Sequence, residues 1–145
     1  MLKLRIFKAE DMVRVLQLAN MFASFDGTTS EADLVVSKFF PEGFWVAEED
    51  NDVIGFVFGY FKDAPLDVLI KWDASKVGEI SLLVVDPDYR RRGIGTALLK
   101  KVMEEFKRAG ADLIILACPA EAIEARKLYE KLGFEVRAYH MKQRL

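Results

Sequence analysis

EISLLVVDPDYRRRGIGTALL, residues 79–99, joins an apolar run, a basic glycine-containing turn and the start of a helical pattern. It opens with a mostly apolar run, 79–85, that reads as a central strand buried on both faces and stopped by Asp86-Pro87. Three arginines, Arg90, Arg91 and Arg92, and the paired glycines Gly93 and Gly95 come next. From 96 to 109 Leu98, Leu99, Val102, Met103 and Phe106 recur on one face of a helix, with Lys100, Lys101, Glu104, Glu105, Lys107 and Arg108 on the other, and Gly110 stops it. LIILA (113–117) is a second buried strand. Strand, helix and strand make a βαβ unit, so the two strands should be parallel with a right-handed crossover, and a ligand site is expected at their carboxyl ends.

Working outward, AEAIEARKLYEKL (120–132) reads as another helix ended by Gly133, and the tail 134–145 can supply one or two terminal strands. Toward the start, LKLRIF (2–7) alternates like a strand, and 10–25 carries apolar residues at helical spacing up to Asp26-Gly27. SEADLVVSKFF (30–40) predicts a second helix, with Ser30 as N-cap, Asp33 three residues on, and an end before Pro41. FWVAEE (44–49) and VIGFVFGYF (53–61), joined by turn residues, predict a β-hairpin whose Gly55 and Gly59 mark a bulge or a close backbone approach. Residues 62–78 have no clean period and read as a long surface excursion. The order β-α-α-β-β-β-α-β-α-β is a layered α/β fold around one mixed sheet, a single domain over 1–145.

The chain has 145 residues, 52% hydrophobic and 30% charged, which is globular composition. Lys and Arg total 21 against 23 Asp and Glu, a net charge of −2, so the arginine run stands in a chain without the basic excess expected of a nucleic-acid binder. Cys118 is the single cysteine, which excludes an internal disulfide or a multi-cysteine metal site, and no cluster has metal-ligand spacing. The start MLKLRIFKAED carries no signal-peptide core and no apolar run reaches bilayer length, so a soluble, cytoplasmic protein is expected.

The glycines admit several anions. A dinucleotide fingerprint needs a third glycine where Leu98 stands, and its first turn is shorter than the seven residues between Val85 and Gly93. A P-loop needs a lysine after its last glycine, and Thr96 follows Gly95. What remains is a loop, 90–95, whose backbone N–H groups and helix start can surround an anion, or a plain surface turn with solvated arginines.

Arg90-Arg91-Arg92-Gly93-Ile94-Gly95 resembles the [Q/R]-x-x-G-x-[G/A] pyrophosphate loop of the GNAT superfamily of acetyl-CoA-dependent N-acetyltransferases. The resemblance extends through LLVVDPDYRRRGIGTALL, recurs in Ala125 to Phe134 (ARKLYEKLGF), and follows the element order above over essentially the whole chain. It implies acetyl-CoA as acyl donor, with Arg91, Arg92, Gly93, Ile94, Gly95 and Thr96 at its pyrophosphate and the main chain of Leu83, Val84 and Val85 along its pantetheine arm. It implies direct attack of a primary amine on the thioester, Tyr129 as acid toward the departing thiolate, and Glu79 as base. The acceptor side falls on Phe22 to Thr29, the second helix with Phe39 and Phe40, and the excursion carrying Asp63, Asp67, Trp72 and Asp73. A homodimer is one assembly such proteins adopt.

The chain departs from the pattern at Ala122, where many members carry an asparagine that helps hold the pantetheine. Ala117 occupies another common base position and cannot serve, which favours Glu79. Cys118 has no partnering base and reads as a small buried hydrophobe, and His140 as structural or exposed. A non-catalytic acyl-CoA-binding or sensor module on the same fold is the alternative.

Overall fold

The computed structural model describes residues 1–21 and 28–145. Five strands form one sheet in the order β1-β2-β3-β4-β5: β1 (Lys3–Ile6), β2 (Phe44–Glu49), β3 (Asp52–Phe61), β4 (Val77–Val85) and β5 (Leu113–Leu116). The first three pairings are antiparallel, and β4 with β5 is parallel, as the βαβ reading requires. Helices α1 (Met12–Met21), α2 (Glu31–Leu34), α3 (Leu66–Trp72), α4 (Ile94–Arg108) and α5 (Ile123–Lys131) complete the fold, a layered α/β arrangement around a mixed sheet.

Alternation along the strands sends side chains to two cores. On one face Phe44, Val46, Phe56, Phe58 and Val84 pack with Val15, Leu18 and Ala19 of α1 and Leu34 of α2. On the other, Val57, Ile54 and Ile80 pack with Leu98, Leu99, Val102 and Phe106 of α4, and α5 adds Leu128, Tyr129 and Leu132 at its margin. Phe106 lies against bare backbone: a Cβ added at Gly59 would come within 2.8 Å of its ring and one at Gly78 within 2.7 Å. Gly59 thus marks both the close approach and the register shift expected there, since the β3–β4 pairing slips between Phe58 and Gly59.

Three segments differ from the sequence expectation. The excursion 62–78 contains α3, seven residues long and ended by Asp73 in the left-handed region (φ 52°). Its Leu66 and Ile70 are exposed, so no buried stripe marked it in the sequence. The second helix is one α-turn, with Asp33 accepting from the Ser30 N–H at 2.7 Å, continued by 3-10 turns at Val35–Phe39 and Pro41–Gly43. β-branched Val35 and Val36, then Pro41, work against a longer α-helix. The tail forms no strand: Phe134 packs edge-on to Tyr129, Arg137 lies over the Trp72 ring, and Val136, Tyr139, Met141 and Leu145 are exposed. Alternating residues make a strand only where an edge receives them. Of the first helix, 10–25, residues 22–25 lie outside the described part, as does the Asp26-Gly27 stop.

Candidate active site

β4 and β5 part company halfway. Their pairing runs from Val77↔Leu113 to Ile80↔Leu116, while β4 continues to Val85. The register against β3 passes from Phe58↔Leu82 to Gly59↔Ile80, which leaves Ser81 as the extra residue of a bulge on β4. Beyond it the Asp86 N–H donates to Ile54 O at 2.8 Å, so strand alternation turns the N–H and C=O of Leu83 and Val85 away from β3, toward the gap left by β5. That is a polar edge for an extended ligand. Val84 is buried and faces the α1 core.

At the carboxyl end of β4 the chain enters the loop. Asp86 caps a 3-10 turn, Pro87–Tyr89, by accepting from the Asp88 N–H at 3.0 Å. Arg91 (φ 65°) and Gly93 (φ 77°) both lie in the left-handed region, and α4 starts at Ile94, two residues before the sequence expectation. A Cβ at Gly93 would meet nothing within 4 Å. The space above this helix start is therefore open, and the N–H groups of the first helical residues, Ile94, Gly95 and Thr96, point toward it with the positive end of a 15-residue helix behind them. A Cβ at Gly95 would instead touch Leu128 at 3.4 Å and Val85 at 3.8 Å, so the loop, the end of β4 and α5 converge. The Ile94 side chain is buried in the α4 core. Backbone donors at an unobstructed helix start can take an anion. Arg91 is exposed, whereas Arg92 donates to Glu49 at 3.0 Å and lies over the Tyr89 ring.

Glu79 is half-buried on the α1 face of β4, directly opposite Tyr60. The Tyr60 hydroxyl donates to it at 3.0 Å, and Lys62 Nζ stands 3.5 Å from its other oxygen. Burial, followed by the Glu79 charge and this hydrogen bond, pushes the Tyr60 phenol up to about 12. Tyr60 and Lys62 escaped the sequence reading; only the register of β3 on β4 brings them to Glu79.

Tyr129 packs at the margin of the α4 core, with its phenol pushed up to about 12, first by burial and then by the proximity of Cys118. Burial also raises the Cys118 thiol, which contacts the carbonyls of Pro119 (3.6 Å) and Ala122 (3.7 Å). Ala122 opens α5 and sits beside this group without a polar side chain. Glu79 and Tyr129 thus belong to opposite faces of the sheet, and Glu79 pairs with Ile115 just before the β4–β5 pairing ends at Ile80↔Leu116. Among the described residues no three His, Cys, Asp or Glu side chains gather as a metal centre needs, and no helix is long and apolar enough to cross a membrane.

Residues 12–134 match the Acetyltransferase (GNAT) family. The chain is 34% identical over 104 residues to an N-alpha-acetyltransferase of Sulfurisphaera tokodaii, covering 68% of this chain and 59% of that one. It is 31% identical over 147 aligned positions to a mycothiol acetyltransferase of Beutenbergia cavernae, covering 95% of this chain and 46% of the other. It therefore spans about half the length of these curated relatives. Among solved structures, Ard1 from Thermoplasma volcanium superposes with a TM-score of 0.78 at 25% identity, covering 94% of this chain and 84% of that one.

Proposed function

The chain belongs to the GNAT acetyltransferase family, and on that premise we propose that it transfers an acetyl group from acetyl-CoA to a primary amine, by direct attack within a ternary complex. The observation that carries this reading is the conjunction at the end of β4: an outward backbone edge at Leu83 and Val85 running straight into an open, glycine-floored helix start. An extended chain ending in a pyrophosphate matches both parts. When bound, acetyl-CoA supplies an activated acyl group.

The chain's own residues then have three tasks. Leu83 and Val85 offer main-chain hydrogen bonds to the pantetheine amides, while the first turn of α4 and Arg91 hold the phosphates. Glu79 accepts the proton that an alkylammonium must lose, directly or through water, with Tyr60 fixing one carboxylate oxygen. As the C–N bond forms and the C–S bond breaks, Tyr129 donates to the departing sulfur. A phenol raised to about 12 holds its proton across the physiological range, so it acts as a hydrogen-bond donor that stabilises the charge growing on the sulfur, while full transfer to a thiolate of ordinary pKa ~8.5 runs uphill.

The relatives' names include an N-alpha-acetyltransferase and a mycothiol acetyltransferase, which supports an amine acceptor and leaves both a peptide N-terminus and a small molecule in scope. The proposed setting is the cytoplasm. Adding each amine class in turn to protein and acetyl-CoA, with free thiol as the readout, tests the reading. Thiol release that requires both protein and amine supports catalysis. CoA binding with no release from peptide N-termini, lysine peptides, polyamines or amino sugars makes the chain a binding module.

A further inference from the structure

One ion pair reaches the loop from the other side of the sheet. Arg14, on α1, donates through Nε to the Val53 carbonyl at 3.0 Å and through a terminal nitrogen to Asp86 Oδ2 at 2.7 Å. Asp86 is the hinge where β4 becomes the loop: its N–H is bound to Ile54, its Oδ1 accepts from Asp88, and its carbonyl accepts from Tyr89 at 2.9 Å. Both carboxylate oxygens are thus used, one to shape the turn and one to hold that turn to α1 and β3. The Asp86 side chain is 12% exposed and the Arg14 side chain 37%, so the pair is anchored at its buried carboxylate.

We infer that Arg14 is a positioning residue for the acyl donor: through Asp86 it fixes the 3-10 turn at Pro87–Tyr89 and so sets where the N–H groups of Gly93 to Thr96 stand. The inference rests on the acetyl-CoA reading of the loop. An anion held by backbone donors is bound well only if those donors wait in place, and the glycines that let the anion approach leave the loop no side-chain packing of its own at Gly93. A rigid two-pronged guanidinium joining a carbonyl and a carboxylate supplies the missing constraint, and lysine, with a single charged nitrogen, cannot reproduce both prongs. The Arg92–Glu49 pair ties the loop again, at its outer side, to the end of β2.

Calorimetric titration with coenzyme A, using the whole chain, tests this on Arg14→Ala, Arg14→Lys and Asp86→Asn. Arg14→Ala and Asp86→Asn are each expected to bind CoA about tenfold more weakly, the equivalent of one charge-assisted hydrogen bond, and Arg14→Lys to lose less than that. Where turnover is measured, KM for acetyl-CoA rises while kcat at saturation and KM for the amine hold. Arg5→Ala is the control for general loosening. It breaks the bonds of Arg5 to Asp11 (2.8 Å) and Glu48 (2.6 Å), neither of them made to a loop residue, and should lose stability without losing CoA affinity. Equal CoA affinity in Arg14→Ala and the parent overturns the positioning role, and so does an equal loss in Arg5→Ala. A parent chain that binds no CoA overturns the acetyl-CoA reading itself, and this inference with it.

Discussion

At the scale of single residues, the environment of each phenol and carboxylate sets its expected pH behaviour. Tyr129, its phenol pushed up to about 12, stays protonated below about pH 10, so in the proposed acid role it should not set the alkaline limb of a rate profile. Tyr129→Phe should lower kcat when chemistry is limiting and leave CoA affinity intact; an unchanged rate removes the acid role. Glu79→Gln should reduce activity mainly at low pH, where deprotonating the amine is hardest. The size of that effect reports the acceptor. A lysine-like amine near pKa ~10.4 needs the base throughout, whereas an α-amine near ~7.8 already supplies its free form at neutral pH, so its Glu79 dependence fades as pH rises past 8. Gly93→Ala should cost about 1 kcal/mol of stability from the left-handed backbone alone, since its new methyl meets no neighbour. A larger proportional loss of CoA binding than of stability would mark the cradle, and urea denaturation beside calorimetry separates the two.

At the scale of elements, the contact of α4 with the sheet depends on a ring resting on glycine backbone. Gly78→Ala would place a Cβ 2.7 Å from two Phe106 ring carbons, and overpacking of this kind costs about 1–3 kcal/mol. Combining it with Phe106→Leu should recover part of the loss, and a double-mutant cycle in urea that shows strict additivity would deny the contact. The βαβ unit was legible in the sequence because its strands are long apolar runs and its helix keeps a 3.6-residue period over four turns. Helix α3 was not, because Leu66 and Ile70 face outward and only seven residues carry the pattern. The tail's alternation suggested strands, but alternation names a face and not a partner, and Phe134 and Arg137 instead meet Tyr129 and Trp72. The glycine loop could be read because backbone freedom is written in residue type. The ties that hold it could not, since Arg14 and Asp86 are 72 residues apart and only the stacking of α1 on the sheet joins them.

At the scale of the whole molecule, the two cores make the sheet a partition, with Glu79 and Tyr60 on one side and Tyr129 and Cys118 on the other. The β4–β5 pairing ends at Ile80↔Leu116, one residue past Glu79. The same burial shapes stability against pH. Tyr60 and Tyr129 have folded values raised from 10 to about 12, so their contribution is complete below pH 10 and is lost as pH climbs from 10 to 12. Asp11 moves the other way. Burial alone would raise it, but the hydrogen bond from Arg5, the Lys8 N–H and the Arg5 charge together lower it, so its contribution is present at neutral pH and lost as pH falls through and below the ordinary 3.8. Urea midpoints across pH should show both flanks. Tyr129→Phe should flatten the alkaline one and Asp11→Asn the acid one, and unchanged flanks would contradict these environments.

Acetyl transfer within a ternary complex, as proposed, passes through no acetylated protein. Mass spectrometry of protein, acetyl-CoA and a mixture of peptide and small-molecule amines, taken together after incubation, tests it most directly. One acetylated amine class, an equal amount of free CoA and a protein of unchanged mass are expected. Acetyl-CoA left intact beside every amine, or an acetyl group carried on Cys118, would contradict it.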